Sequence, residues 1–422
     1  MMNTLSSAAV GCDGIAELMQ RTLNRVDPRL VDHGKRVARL AAGMLDVRGC
    51  APGERRDLLL LAMLHDIGAY KTEEIDRMLQ FETQNIWGHS VYGYLFIRDL
   101  SPLAEYAPAV LFHHLDYQKL RWLDTPCGEY AQIFNLADRA DIFLENRPGA
   151  PRKELYRRLR GASGTRFDPL VVELFLEADA RLDLCGTWGE PVDVRSLLGE
   201  LDLCREQLDT YLRMLIYTID FRSSHTVAHT LTTTALSWQL GRRMGLSGED
   251  LEDIVYGAML HDLGKMGIPV EILEFPGKLS PQAMGVMRTH VDITEEIIGG
   301  LVGERVARIA LRHHEKLDGS GYPRGLTGEE LTLPQRIVAV ADIVSALCGT
   351  RSYKAAFPKE KTLAIIGGMA GEGLIDRDAV MVMCGGYDEI MKTVMEETGP
   401  VRAAYRRIQE DYARLMKELP GL

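Results

Sequence analysis

Apolar residues recur at helical spacing along most of the chain. In LEDIVYGAMLHD (251–262), Leu251, Ile254, Val255 and Ala258 follow the i, i+3, i+4, i+7 stripe of a helix with one buried face. VDHGKRVARLAAGML (31–45) and HTVAHTLTTTALSWQLGRRMG (225–245) are each long enough for a full helix. No segment alternates apolar and polar residues over several positions, so the pattern predicts an all-α chain. Gly and Pro gather at GIPVEILEFPGKLSP (267–281) and GSGYPRGLTG (319–328), which read as surface loops. A Gly/Pro-containing linker, CGTWGEPVDV (185–194), precedes SLLGELDLCREQLDTYLRMLIYTID (196–220), which reads as a connecting helix. The charged, amphipathic stretch from Tyr387 to Leu419 reads as a capping or dimer-forming helix.

A repeat organises these helices. The first half holds His33, His65, Asp66, His89, His113, His114 and Asp138, in that order. The second half holds His229, His261, Asp262, His290, His313, His314 and Asp342. Matched residues are offset by 196, 196, 196, 201, 200, 200 and 204 positions. MLHDIG (63–68) matches MLHDLG (259–264), and LADRADIFLENR (136–147) parallels VADIVSALCGTR (340–351). Ten of the 11 histidines belong to the paired sets, and His225 is left over. Scarce residues do not fall this way by chance, so the chain reads as a duplicated domain. The expected division is 1–184, a linker and connecting helix over 185–209, and 210–422.

Composition narrows the field. A chain of 422 residues is long enough for two or three cores. The net charge of −11, with acidic residues in excess in both halves, argues against a DNA-binding protein. The longest apolar run, Leu58 to Leu64, falls far short of the ~20 residues of a membrane span. The N-terminal residues lack the basic and apolar regions of a signal peptide. The seven cysteines form no CxxC pair, which fits a reduced cytoplasm and argues against a thiolate zinc site.

Imidazole and carboxylate together suit divalent transition metals. Five His and two Asp are too many for one four-coordinate ion and about right for two. Adjacent helical residues point roughly 100° apart. His261 could therefore face one ion while Asp262 reaches toward a second. Paired ions neutralise a phosphate and activate water. A lone buried histidine is more often a satisfied core residue, but seven ligand-type residues repeated in order reverse that expectation. The residues name no single metal: Fe or Mn lead, with Zn, Ni or Co compatible.

HDLGK at 261–265 and HHEKLDGSGYPRGLTGEEL at 313–331 resemble the HD-GYP branch of the HD phosphohydrolase superfamily. The likeness runs over roughly 210–380, with ADI at 341–343 and RSYK at 351–354 in order; residues 30–180 resemble a divergent copy. The resemblance implies tandem all-helical HD domains joined by a linker helix. It implies metal-dependent hydrolysis of a cyclic dinucleotide, either cyclic di-GMP or 3',3'-cyclic GMP-AMP, to a linear dinucleotide. It implies metal ligands at His229, His261, Asp262, His290, His313, His314 and Asp342, with Asp262 bridging and Lys265 meeting the scissile phosphate. Gly319, Gly321, Tyr322 and Pro323 would form the signature loop beside the site, with Arg324 contacting phosphate or base. A bacterial signalling enzyme of the cytoplasm is implied, a homodimer, working with diguanylate cyclases or other signalling partners.

Two departures stand out. Members with three metals carry a Glu four residues before the first ligand His, and here that position is His225. It is a candidate ligand for a third metal, a substrate contact, or idle. The first copy keeps a full candidate set, His33, His65, Asp66, His89, His113, His114 and Asp138, but has Ala69 in place of Lys265 and no signature loop. It reads equally as a metal-binding regulatory domain or as a packing and dimerisation partner. Two other functions fit the composition: an HD hydrolase of mononucleotides, and a non-enzymatic cyclic-dinucleotide receptor or adaptor. The GSGYP loop argues against the first, and the complete second ligand set against the other.

Overall fold

The computed structural model describes residues 12–25, 28–69, 87–198, 210–217, 229–349 and 356–419. Helices account for nearly all regular structure among the described residues, with two isolated bridges, Ser163 with Phe167 and Asp318 with Thr327, and no extended strand. The principal helices are α1 (Cys12–Asn24), α2 (Pro28–Arg48), α3 (Pro52–Met63), α4 (Trp87–Leu100), α5 (Ala107–Phe112), α6 (Gly128–Asn146) and α7 (Pro169–Leu182). They continue with α8 (His229–Arg243), α9 (Glu249–Leu260), α10 (His290–Ile298), α11 (Glu304–Ala310), α12 (Leu333–Cys348), α13 (Lys359–Gly371) and α14 (Arg377–Glu418).

The chain divides into two compact units. One comprises residues 27–202 with 406–422, the other 1–26 with 203–405. By this division each terminal segment joins the unit of the other half of the chain. The reasons are local. In α1, Leu18 is buried and the Arg21 guanidinium donates to the Gly299 carbonyl at 2.7 Å, just past the end of α10. In the last turns of α14, Tyr412 stacks on Tyr92 of α4 at 3.6 Å between ring centres, and Asp411 accepts from Arg98 at 2.6 Å.

Five helices carry or adjoin the ligand residues in each unit, α2 to α6 in the first and α8 to α12 in the second. In the first, α2 packs on α3, α6 and α7, and α5 packs on α4 and α6. In the second, α8 packs on α9 and α12, and α9 on α11. The stripe that predicted α9 is its core face: Leu251, Ile254, Val255 and Ala258 are all buried. Acidic residues Glu249, Asp250 and Glu252 fill its first turn, where the helix dipole favours negative charge. Thr332 and Gln335 form a capping box that starts α12, the helix that carries Asp342. The segment expected as a loop over 267–281 contains a short helix, Val270–Leu273. One turn of helix bounded by Pro269 and Pro276 carries too few periodic positions to be visible as a pattern. The segment 319–328 is non-helical, as expected. The final helix begins ten residues before Tyr387 and runs through Pro400.

Candidate functional site

In the second unit the seven matched residues converge. His229 opens the described part of α8, His261 caps α9, and Asp262 begins the short 3-10 turn Leu263–Gly267. His290 opens α10, His313 and His314 follow α11, and Asp342 lies in α12. Asp262 sits at the centre. Its Oδ2 lies 3.5 Å from His229 Nε2 and 3.1 Å from His261 Nε2. Its Oδ1 lies 3.6 Å from His290 Nε2 and 4.0 Å from His313 Nε2. Asp342 Oδ1 lies 2.9 Å from His229 Nε2, and its Oδ2 3.7 Å from His314 Nδ1.

The backbone fixes which ring nitrogen faces inward. His261, His290 and His313 each donate Nδ1–H to the carbonyl three residues back, at 2.7 Å in every case. A neutral imidazole whose Nδ1 donates carries its lone pair on Nε2. His290 Nε2 and His313 Nε2 then face each other at 3.3 Å, lone pair to lone pair, an arrangement a shared cation would relieve. His261 Nε2 and Asp262 Oδ1 are buried with no hydrogen-bond partner. Donor atoms of His229, His261 and Asp262 fall within 4.8 Å of one another, as do those of His290, His313 and His314. The residues fit divalent cations in two adjoining groups, with one carboxylate facing both.

Electrostatics agree. Burial lowers the pKa of His229, His290 and His313, and takes His314 down to about 3, so these rings are neutral. His261 moves up, because Asp262 outweighs burial. Burial alone would raise Asp262, but His261 and Lys265 hold it well below the usual carboxylate range; His229 does the same for Asp342. Neutral imidazoles and ionised carboxylates are the forms that bind metal. Lys265 pairs with Asp262 Oδ2 from the solvent side of the centre.

Close packing explains the invariant Gly of the repeat. A Cβ at Gly264 would lie 1.9 Å from the His290 carbonyl oxygen, and one at Gly68 would lie 2.0 Å from that of His89. Only glycine lets the turn after each His-Asp pair approach the helix bearing the next histidine.

The loop after His314 is tied to the centre by Glu315. This buried carboxylate accepts from the Arg324 and Leu326 amides at 2.8 and 2.9 Å. Gly319 has φ 79°, and a Cβ at Gly321 would lie 2.4 Å from the Lys316 amide nitrogen. Pro323 follows a cis peptide bond, and the Tyr322 ring packs on His314 at 4.6 Å between centres. Arg324 has its guanidinium on Glu295 at 2.8 Å. Arg288, which the sequence reading passed over, lies 4.8 Å above the Tyr322 ring. Its position two residues before His290 was the only hint. His225 and the RSYK segment (351–354) lie outside the described residues.

The first unit assembles the second candidate set as well. Asp66 Oδ2 lies 3.3 Å from His65 Nε2 and 3.8 Å from His33 Nε2. Its Oδ1 lies 3.5 Å from His113 Nε2 and 3.8 Å from His89 Nε2. His33 Nε2 is 3.3 Å from Asp138 Oδ1. Donor atoms of Asp66, His89, His113 and His114 lie within 4.8 Å of one another, as do those of His33, His65 and Asp66. The support around His33 differs from that around His229. His33 Nδ1 donates to Asp141 at 2.8 Å, and Asp141 also accepts from Arg36 at 2.7 Å and from Trp188 at 2.6 Å. At His229 the corresponding partner is the Ser345 hydroxyl, at 2.9 Å. Asp141 and Ser345 escaped the sequence reading because they are different residue types at one register.

Comparisons with known proteins agree with this architecture. HD-domain families match residues 30–142 and 213–379. The chain is 26% identical over 366 residues to 3'3'-cGAMP-specific phosphodiesterase 1 of Vibrio cholerae, covering 82% of this chain and 85% of that one. It is 34% identical over 247 residues to 3'3'-cGAMP-specific phosphodiesterase 3 of the same organism, covering 56% of this chain and 52% of that one. It is 39% identical over 173 residues to the cyclic di-GMP phosphodiesterase response regulator RpfG of Xanthomonas campestris, covering 40% of this chain and 46% of that one. The chain thus spans most of the first relative and about half the length of the other two. A solved cyclic GMP-AMP specific phosphodiesterase from V. cholerae superposes with a TM-score of 0.55 at 19% identity, covering 90% of this chain and 98% of that one, and shares the fold. No described helix is long and apolar enough to cross a membrane. The chain thus carries two HD domains, the second with the loop that resembles the HD-GYP signature docked on its ligand set.

Proposed function

We propose that this protein is a metal-dependent phosphodiesterase that opens a cyclic dinucleotide, 3',3'-cyclic GMP-AMP or cyclic di-GMP, to a linear dinucleotide, and that the C-terminal unit carries the reaction. The observation that carries the reading is the convergence of three Nε2 lone pairs, set by backbone carbonyls, around the two oxygens of Asp262. His229, His261, Asp262, His290, His313, His314 and Asp342 would hold two divalent ions, of the Fe or Mn type. Bound ions would supply Lewis-acid charge at a phosphodiester and lower the pKa of water.

The chain's own residues supply the rest. Lys265, one 3-10 turn from Asp262, places an ammonium where a phosphate oxygen gains negative charge. His314 is 28% exposed, so a substrate phosphate can reach the centre on that side. Tyr322 packs on His314 and the Arg288 guanidinium lies over the Tyr322 ring, so the pair offers an aromatic edge and a cation to a base or a second phosphate. Arg324 would have to leave Glu295 to take part. Cys50, Cys127, Cys185, Cys348 and Cys384 are free thiols, in keeping with work in the cytoplasm.

The test is turnover of both cyclic dinucleotides by protein reconstituted with Mn(II) or Fe(II), beside a panel of nucleoside monophosphates. A linear dinucleotide is the expected product. Hydrolysis confined to the mononucleotides, or binding of cyclic dinucleotides without turnover, would contradict the reading.

A further inference from the structure

The two ligand sets match in residue type, but one buried cation separates them. Arg139 follows Asp138 as Ile343 follows Asp342. Its side chain is 1% exposed. One guanidinium nitrogen lies 3.0 Å from His114 Nδ1 and 3.2 Å from Asp138 Oδ2.

A guanidinium has only donors, so His114 Nδ1 must accept. A neutral imidazole that accepts at Nδ1 carries its proton on Nε2. Neither ring nitrogen of His114 then has a lone pair left for an ion. One lone pair is spent on Arg139, and the other nitrogen is an N–H, buried with no hydrogen-bond partner. His65 and His113 are oriented the opposite way. Each donates Nδ1–H to a backbone carbonyl, Ala62 at 2.7 Å and Val110 at 2.5 Å, and turns Nε2 toward Asp66. His33 donates Nδ1–H to Asp141 and likewise keeps Nε2 for the centre. In both sets this Nδ1 faces the aspartate of the following helix, His114 to Asp138 at 3.5 Å and His314 to Asp342 at 3.7 Å, but the residue after Asp342 is Ile343 and brings no guanidinium.

We infer that Arg139 withdraws His114 from the N-terminal ligand set, leaving a centre for one divalent transition-metal ion at His33, His65, Asp66 and Asp138. The other group keeps only His89, His113 and a share of Asp66. A fixed positive charge beside it disfavours a second dication. The inference rests on the reading that the C-terminal set takes two ions. A one-ion centre lacks the pair that clamps attacking and leaving oxygens. The N-terminal domain therefore binds metal without carrying the reaction.

The test counts Mn(II) per full-length chain after loading and desalting. Asp66→Ala and His65→Ala should each lower the count by one ion, His114→Ala should leave it unchanged, and Arg139→Leu should raise it by one. Asp262→Ala should lower it by two and leave the paramagnetic resonance spectrum of an isolated Mn(II). That difference reports on the C-terminal reading separately. A change other than one ion on Asp66→Ala, a loss on His114→Ala, or a spin-coupled pair in the Asp262→Ala protein would overturn the inference. If Arg139→Leu does not fold, the His65 and His114 variants still decide it.

Discussion

Seven ligand-type residues occur twice in this chain in one order, and the two centres they build are finished by different neighbours. Around the N-terminal set the neighbours are charged. Asp141 holds His33 and is itself held by Arg36 and Trp188, while Arg139 holds Asp138 and His114. With no ion bound, Asp138 and Asp141 outweigh burial and raise the pKa of His33 to about 10, so an ion at Nε2 would displace a proton, while Arg139 helps take Asp138 down to about 2. Without an ion, this set neutralises much of its own charge. Around the C-terminal set the neighbours are a hydroxyl, a lysine and a glycine-rich loop. There His229 stays neutral and the facing Nε2 atoms lack donors. Access differs too: His314 is 28% exposed and His114 only 5%. The lesson is that a ligand count alone does not separate a hydrolytic centre from a binding one. The residues that fix tautomers and admit substrate make the separation.

Substitutions at matched positions can break or sharpen that comparison. The largest effect is expected at the glycines. Gly264→Ala should drive Cβ into the His290 carbonyl, costing ~3 kcal/mol or more of stability in thermal unfolding and nearly all turnover. Gly68→Ala should destabilise similarly but leave the turnover of folded protein intact. Next comes the lysine. Lys265→Met should lower kcat about 10²–10³-fold while bound metal is retained, as expected for a group acting on developing phosphate charge. The reverse change, Ala69→Lys, should add no activity to an Asp262→Ala protein. A smaller effect is expected behind the first ligand: Ser345→Ala should weaken Mn(II) affinity about tenfold in a titration monitored by turnover. The smallest is at Arg324, exposed and engaged by Glu295, where Arg324→Ala should change kcat/KM by less than about twofold.

Much of this contrast was legible in the chain itself. Helical spacing exposed α9 and α2, and the paired histidines and aspartates exposed both centres, because a metal site demands specific residue types whatever the surrounding sequence. The finishing residues were hidden for physical reasons. Arg139 is a charged residue in a helix, and nothing in its spacing says that it is buried. Asp141 and Ser345 share one register and one task with different chemistry, so no repeat flags them. Glu315 sits inside a recognisable motif, but its two amide partners lie nine and eleven residues away and meet it only when the loop closes. The exchange of terminal segments between units depends on where Leu18 and Tyr412 find apolar partners, which periodicity does not reveal.

The account's central claim is that only the C-terminal centre carries the reaction. The most direct test is cyclic-dinucleotide turnover by the matched variants Asp66→Ala and Asp262→Ala, purified alongside wild type and loaded with Mn(II). The account predicts a loss of at least about a thousandfold for Asp262→Ala and near wild-type turnover for Asp66→Ala. Comparable losses in both, or substantial turnover surviving in Asp262→Ala, would contradict it.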